Sequence, residues 1–266
     1  MSIAFVAGLG VVLAAVAFVA SMLGIGGGVA YTPIQVFFGI EIHTAAATSL
    51  FLIIILSLGA TSVYHRAGKV DWKVAVLLEI FTATGGFAGG YLSSFIHQNI
   101  LITILTAAVV LAGAVMMREG KDPENVSTKH AWYKWRRDFG GLPYELNLLV
   151  AVPVCTLAGA LSGMIGIGGG IIKVPMMVVL FGIPMDIAVA TSGLMVGVTA
   201  IGGFAGHAVA GHFDWRMGLI LTPGVFLGAW LGAHTMLRID RRILKKIFGV
   251  AMFLIACGLM ARMILK

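Results

Sequence analysis

Eight stretches of this chain are apolar over roughly the length that crosses a bilayer. They are residues 3–23, 45–63, 74–96, 100–117, 146–165, 187–210, 217–237 and 247–264. A hydrocarbon core about 30 Å thick takes about 20 apolar residues in a helix. In lipid, every backbone N–H and C=O must find its partner within the protein, which leaves only helices and closed barrels. A barrel needs segments of about ten residues that alternate in polarity, and this sequence has none. The expected fold class is therefore an all-α polytopic membrane protein. Composition points the same way: of 266 residues, 59% are hydrophobic and 11% charged, where a soluble domain carries about 25% charge. So little charge cannot wet a soluble surface. A cytosolic enzyme, a secreted disulfide scaffold and a disordered protein are excluded. The net charge of +7 then reads as basic loops on the cytoplasmic face rather than as a nucleic-acid surface. Cys155 and Cys257 both lie in apolar runs and say little about redox compartment.

Residues 118–145 interrupt the apolar pattern. Trp132, Tyr133 and Trp135 stand there beside Lys134, Arg136 and Arg137, a mixture suited to the headgroup layer. The segment is expected to be an interfacial loop or surface helix connecting two halves. Those halves are a first transmembrane repeat, 1–117, and a second, 146–266.

The repeat is visible residue by residue. Leu23-Gly24-Ile25-Gly26-Gly27-Gly28 recurs as Ile165-Gly166-Ile167-Gly168-Gly169-Gly170, and Pro33 matches Pro175. Ala47-Thr48-Ser49 matches Ala190-Thr191-Ser192, and Gly68 before Asp71-Trp72 matches Gly211 before Asp214-Trp215. Gly85 and Gly89 match Gly228 and Gly232. Many transporters are built from such paired units. The doubled G-x-G-G-G-x4-P motif, each copy followed by A-T-S, resembles the TauE/SafE family of sulfite and organosulfonate exporters over nearly the whole chain. That resemblance implies a membrane transporter whose cargo is sulfite or a small organosulfonate.

Basic residues orient the repeats. If each glycine tract is the tip of a re-entrant hairpin, three crossings remain per half and the halves are inverted. Segments 64–73, 118–145 and 238–246 then share one side and collect 14 of the 18 Lys and Arg residues. With four crossings per half, the halves are parallel and the basic residues divide less cleanly. The inverted arrangement fits the positive-inside tendency better.

Helix-breaking backbone at membrane depth is tolerated where protein or water surrounds it, so the tracts are expected to line a cavity. Thr32 as N-cap and Pro33 in the first turn would open a short helix, with a second opening at 174–175. Free N–H groups at such a start attract anions, and glycine lets a ligand approach the backbone. The candidate substrate-binding residues are Gly26, Gly27, Gly28, Thr32, Thr48 and Ser49, then Gly168, Gly169, Gly170, Lys173, Thr191 and Ser192. The two hydroxyl pairs are placed at the start of the helices after the glycine motifs, where they would line the cavity or serve helix packing. Lys173 at depth is costly; it either snorkels to the interface or calls for an anion, a bound substrate or Glu79. Glu79 is a candidate for proton coupling or for a structural ion pair. Glu145 and Asp186, near segment ends, read as solvated. The histidines read as scattered, with no metal-binding spacing.

The tract is neither a Walker loop nor a dinucleotide fingerprint, and no cofactor is expected. The expected partners are a small anionic substrate, the lipid bilayer and, in a homodimer, a second copy; nucleic acid is not among them. The function expected is secondary transport of a small anion by alternating access in the cell (inner) membrane. An anion channel, or an intramembrane enzyme, is the alternative. The inverted arrangement makes a direct prediction: Asp240→Cys labels with an impermeant thiol reagent from the cytoplasmic side alone, and labelling from outside contradicts it.

Overall fold

The computed structural model describes residues 3–92, 131–165, 170–209 and 211–264, with isolated helical positions between 103 and 114. The second glycine tract, including Gly168 and Gly169, lies outside the described residues, as do 118–130 and most of the fourth apolar stretch. The helices are α1 (Ile3–Leu23), α2 (Gly28–Phe37), α3 (Ile42–Arg66), α4 (Trp72–Leu92), α5 (Leu148–Ile165), α6 (Gly170–Pro175), α7 (Met185–Val209), α8 (Trp215–Arg238) and α9 (Arg241–Ile264). A π-helical turn, Met176–Leu180, follows α6, and strands β1 (Lys134–Phe139) and β2 (Leu142–Asn147) precede α5. Among the described residues, three helices are long and apolar enough to cross a membrane: His43–Arg66, Met185–Val209 and Trp215–Arg238.

The chain forms two compact units that each draw on both parts of the sequence. The first is Met1–Val70 with Val189–Arg238; the second is Asp71–Ala188 with Ile239–Lys266. In the first, α8 packs along α1 and α3. A Cβ added at Gly228 would strike Ala14 O, and one at Gly232 would strike Phe18 O. The second unit repeats the device: α4 lies along α5, where a Cβ at Gly85 would meet Thr156 O and one at Gly159 would meet Thr82 O. Lipid provides no hydrophobic drive to pair helices, so close backbone approach between small residues does that work. The outward faces stay apolar. Val76, Ile80 and Phe87 of α4 and Leu219, Ile220, Leu227 and Leu231 of α8 are exposed, as side chains meeting acyl chains should be.

Residues 134–147 depart from the expected loop or surface helix, and from a purely α-helical fold. They form an antiparallel hairpin with Arg137 opposite Tyr144. Gly140 (φ +63°) and Gly141 (φ +74°) supply the two left-handed residues of its turn. Tyr144 and Leu146 alternate inward and are buried. The hairpin docks on Asp71, at the start of α4. Arg137 donates to both Asp71 carboxylate oxygens, through Nη2 at 2.7 Å and Nε at 3.1 Å, and the Tyr144 hydroxyl donates to Oδ2. Burial, and then the Asp71 carboxylate, push the Tyr144 phenol above its ordinary pKa. Asp71 Oδ1 also accepts from the N–H groups of Lys73 and Val74, so one carboxylate caps α4 and anchors the hairpin. On the other face, Lys134 Nζ lies 2.7 Å from Glu145 Oε1, which makes Glu145 a cross-strand ion-pair partner rather than a solvated acid.

Asp186 is likewise not solvated. It is buried in the first turn of α7, and Arg241 Nε lies 2.7 Å from its Oδ1. Arg241 opens α9, so the basic run 241–246 is helical and not a loop.

The α4–α5 packing carries a stability prediction. Gly85→Ala should destabilise the protein by about 1–3 kcal/mol through overpacking. Gly86→Ala, whose Cβ would sit at an ordinary 3.6 Å from Gly159 O, should be neutral or stabilising. Thermal unfolding in detergent compares the two.

Candidate functional site

The first glycine tract breaks the chain between α1 and α2. Gly24, Gly26 and Gly27 have φ of +68°, +79° and +73°, a region that side chains avoid. The surroundings exclude side chains as well. A Cβ on Gly24 would lie 2.6 Å from Val189 O, and one on Gly26 would strike Val196 Cγ1. Gly24 N–H bonds Ser21 O and Ile25 N–H bonds Ala20 O, closing the end of α1. Hydroxyls from α7 and α3 bond two carbonyls at the break: Ser192 donates to Gly24 O and Tyr64 to Ser21 O, each at 2.8 Å. Ser57 of α3 donates to Gly193 O within α7, also at 2.8 Å.

This geometry moves the start of α2. Thr32 and Pro33 do not open it: Gly27 is the N-cap and Gly28 the first helical residue. Left-handed Gly26 and Gly27 turn the chain into helix five residues sooner, and Pro33 falls inside it. Likewise α6 starts at Gly170, and Pro175 ends it. Gly27 O accepts from Ala30 and Tyr31 N–H. The N–H groups of Gly28 and Val29 have no acceptor within the helix and stand at its positive end.

Thr32, released from capping, donates its hydroxyl to Ser49 at 3.0 Å. Gln35 donates to the same Ser49 oxygen at 2.8 Å and to Tyr31 O at 3.2 Å. Thr48 and Ser49 do not open α3, nor Thr191 and Ser192 α7; each pair lies two turns in, and all four residues are buried. Tyr31 Oη, Gln35 Oε1 and Thr48 Oγ1 are buried without a hydrogen-bond partner. The structure therefore brings together Thr32 with Ser49, and Gly24 of the tract with Ser192. Sequence reasoning missed Tyr31, Gln35, Ser57 and Tyr64. The available signal was the i, i+4 pair of Tyr31 and Gln35 on a short apolar helix.

The second unit holds Lys173. Its Nζ lies 2.8 Å from Glu79 Oε2, and both residues are buried. The Thr82 hydroxyl donates to the same carboxylate oxygen at 2.9 Å. Of the two anions that Lys173 called for, Glu79 is the one beside it. Gly170 is buried at the start of α6. Three histidines gather in the first unit, contrary to a scattered reading: the His43 and His212 rings stack at 5.0 Å and His207 lies 5.7 Å from His212. Among the described residues, no His, Cys, Asp and Glu group has the arrangement to hold a metal ion.

Comparison with known proteins now bears on this geometry. Residues 9–259 match the family described as "Sulfite exporter TauE/SafE". The chain belongs to that family. A relative in Bacillus subtilis (strain 168), "Probable membrane transporter protein YunE", is 30% identical over 251 residues, covering 91% of this chain and 92% of the relative. A second in the same organism, "Probable membrane transporter protein YdhB", is 28% identical and covers 84% and 87%. A "Probable membrane transporter protein" of Xylella fastidiosa (strain 9a5c) is 24% identical and covers 91% and 89%. No solved structure matches the chain. Membership in TauE/SafE makes this a membrane transporter, and both glycine tracts of the sequence lie within the matched residues.

The buried pair makes a stability prediction. Removing one partner of a buried ion pair strands the other charge, at about 3–5 kcal/mol. Lys173→Met or Glu79→Leu alone should destabilise strongly. The double variant should recover most of that loss, because two apolar side chains replace the pair. A double-mutant cycle by thermal unfolding tests this; additive losses would contradict it.

Proposed function

We propose that this protein is a secondary transporter of a small anion, with sulfite or a small organosulfonate as its cargo. It works by alternating access in the cell (inner) membrane as a multi-pass protein. The observation that carries the reading is the glycine break before α2. Three left-handed glycines, buried hydroxyls and a helix start with unused N–H groups form a neutral, donor-rich surface. Such a surface suits an anion that must be held and then released. The binding set on this reading is Gly26, Gly27, Gly28, Thr32, Thr48, Ser49, Thr191 and Ser192, together with the second motif's Gly168, Gly169, Gly170 and Lys173. The sulfur-oxyanion cargo rests on family membership; the residues support a small anion.

Two homologous halves in inverted orientation supply the rocking elements that alternating access needs. Supporting this, α2 and α6 both begin at the third glycine of their tracts, α3 and α7 are both 25 residues long, and α4 and α8 both begin at the Trp of an Asp-Trp pair. Glu79 serves as the proton-responsive group. Its carboxylate is the acid that faces the buried Lys173 cation in the second unit.

The test is flux in proteoliposomes. Labelled sulfite and a set of sulfonates should move saturably, with rates that follow an imposed pH gradient. Glu79→Gln should flatten that pH dependence. Non-saturable flux would favour a channel, and unchanged pH dependence in the variant would remove Glu79 from coupling.

A further inference from the structure

In the first unit, one buried phenol lacks what buried phenols normally have. Tyr64 and Tyr31 are both fully buried. Tyr64 donates to Ser21 O, while the Tyr31 hydroxyl has no hydrogen-bond partner among the described residues. Leaving a buried hydroxyl unpaired is costly, and native proteins rarely do so without a use for it.

The position of that hydroxyl suggests the use. Side chains on a helix lean toward its N-terminus, and Tyr31 is the fourth residue of the ten-residue α2. Its ring folds back over the helix start: a Cβ on Gly27 would lie 2.9 Å from Tyr31 Cζ and 3.3 Å from its hydroxyl oxygen. The phenol therefore stands beside the N-cap, where the Gly28 and Val29 N–H groups emerge. Glycine at 27 is what lets ring and backbone share this space. Two independent features meet here: a helix start whose first-turn amides have no acceptor within the helix, and a fully buried donor beside its N-cap residue.

The second repeat sharpens the contrast. Counted along the motif, Lys173 occupies the position of Tyr31, fourth in the helix that starts at the third glycine. That cation is matched by Glu79 within the protein. Tyr31 brings a donor with no charge, and α2 contains no ionisable acid or base besides its phenol.

We infer that the Tyr31 hydroxyl and the first-turn amides of α2 bind a monovalent oxyanion. This deepens, and rests on, the transport reading above. A neutral donor set stabilises one negative charge through hydrogen bonds and the helix dipole. A second charge on the same ligand would raise the desolvation penalty steeply with no cation to offset it. The ligand class is thus a sulfonate monoanion or the singly protonated form of sulfite, discriminated from dianions such as sulfate.

The experiment measures binding of methanesulfonate, sulfite and sulfate to the full-length protein in detergent, by calorimetry and by ligand-induced thermal shift, for wild type and Tyr31→Phe. The variant should unfold at the wild-type temperature or above without anion, since the hydroxyl it loses had no partner. Methanesulfonate affinity should fall roughly tenfold to a hundredfold, as expected for one lost hydrogen bond to a charged group. Wild type should bind methanesulfonate more tightly than sulfate. If wild type binds and Tyr31→Phe binds equally well, the role of Tyr31 is overturned and the transport reading stands. A lowered melting temperature in the variant without anion would also overturn it, because the hydroxyl would then have a structural partner. Sulfate binding as tightly as methanesulfonate overturns the monoanion class. If wild type binds neither sulfite nor methanesulfonate, both readings fall.

Discussion

A chain that leaves its helix inside a membrane must still satisfy the backbone it has unwound. The first unit meets that constraint with hydroxyls. Ser192 bonds Gly24 O and Tyr64 bonds Ser21 O, at a break where three glycines hold φ values that other residues avoid. These bonds draw on α3 and α7, which belong to opposite halves of the sequence. The break is therefore held by residues about 170 positions away from it as well as by nearby ones, Ser192 and Gly24 being 168 apart. Close packing follows the same logic, with Gly228 and Gly232 letting α8 approach the backbone of α1.

Charge is handled differently in the two units. The second unit gathers its rare buried charges into pairs. Lys173 meets Glu79, Arg241 meets Asp186, and Arg137 meets Asp71 with Tyr144 completing the carboxylate's bonds. The first unit surrounds its glycine break with neutral hydroxyls and an amide. The two units thus hold their buried polar groups by different means, one by ion pairs and the other by hydroxyl and amide hydrogen bonds.

Much of the fold was legible because its signals are local. Apolar length marks the helices, as with α7, expected at 187–210 and found at Met185–Val209. The first glycine tract marks a break, and the helix-packing glycines lie where small residues allow backbone contact. What stayed hidden depends on tertiary geometry. The start of α2 was placed at Pro33, since proline favours a first turn, but left-handed Gly26 and Gly27 turn the chain earlier and leave Pro33 in the helix. The 134–147 hairpin was masked by its basic and aromatic content, which suits an interface as well as a strand. Its turn glycines and the alternation of Tyr144 with Leu146 were the readable cue. Asp186 appeared solvated because its partner, Arg241, is 55 residues away. Tyr31 and Gln35 passed as ordinary members of an apolar segment. Only burial without partners sets them apart.

Selenite stands in for sulfite and scatters X-rays anomalously, so crystals grown with it locate the bound anion directly. If the glycine-started helix of the first unit binds the anion, an anomalous selenium peak is expected beside Gly27 and Gly28, within hydrogen-bonding distance of the Tyr31 hydroxyl. Ordered selenium elsewhere in the protein, with nothing bound at the start of α2, would contradict it.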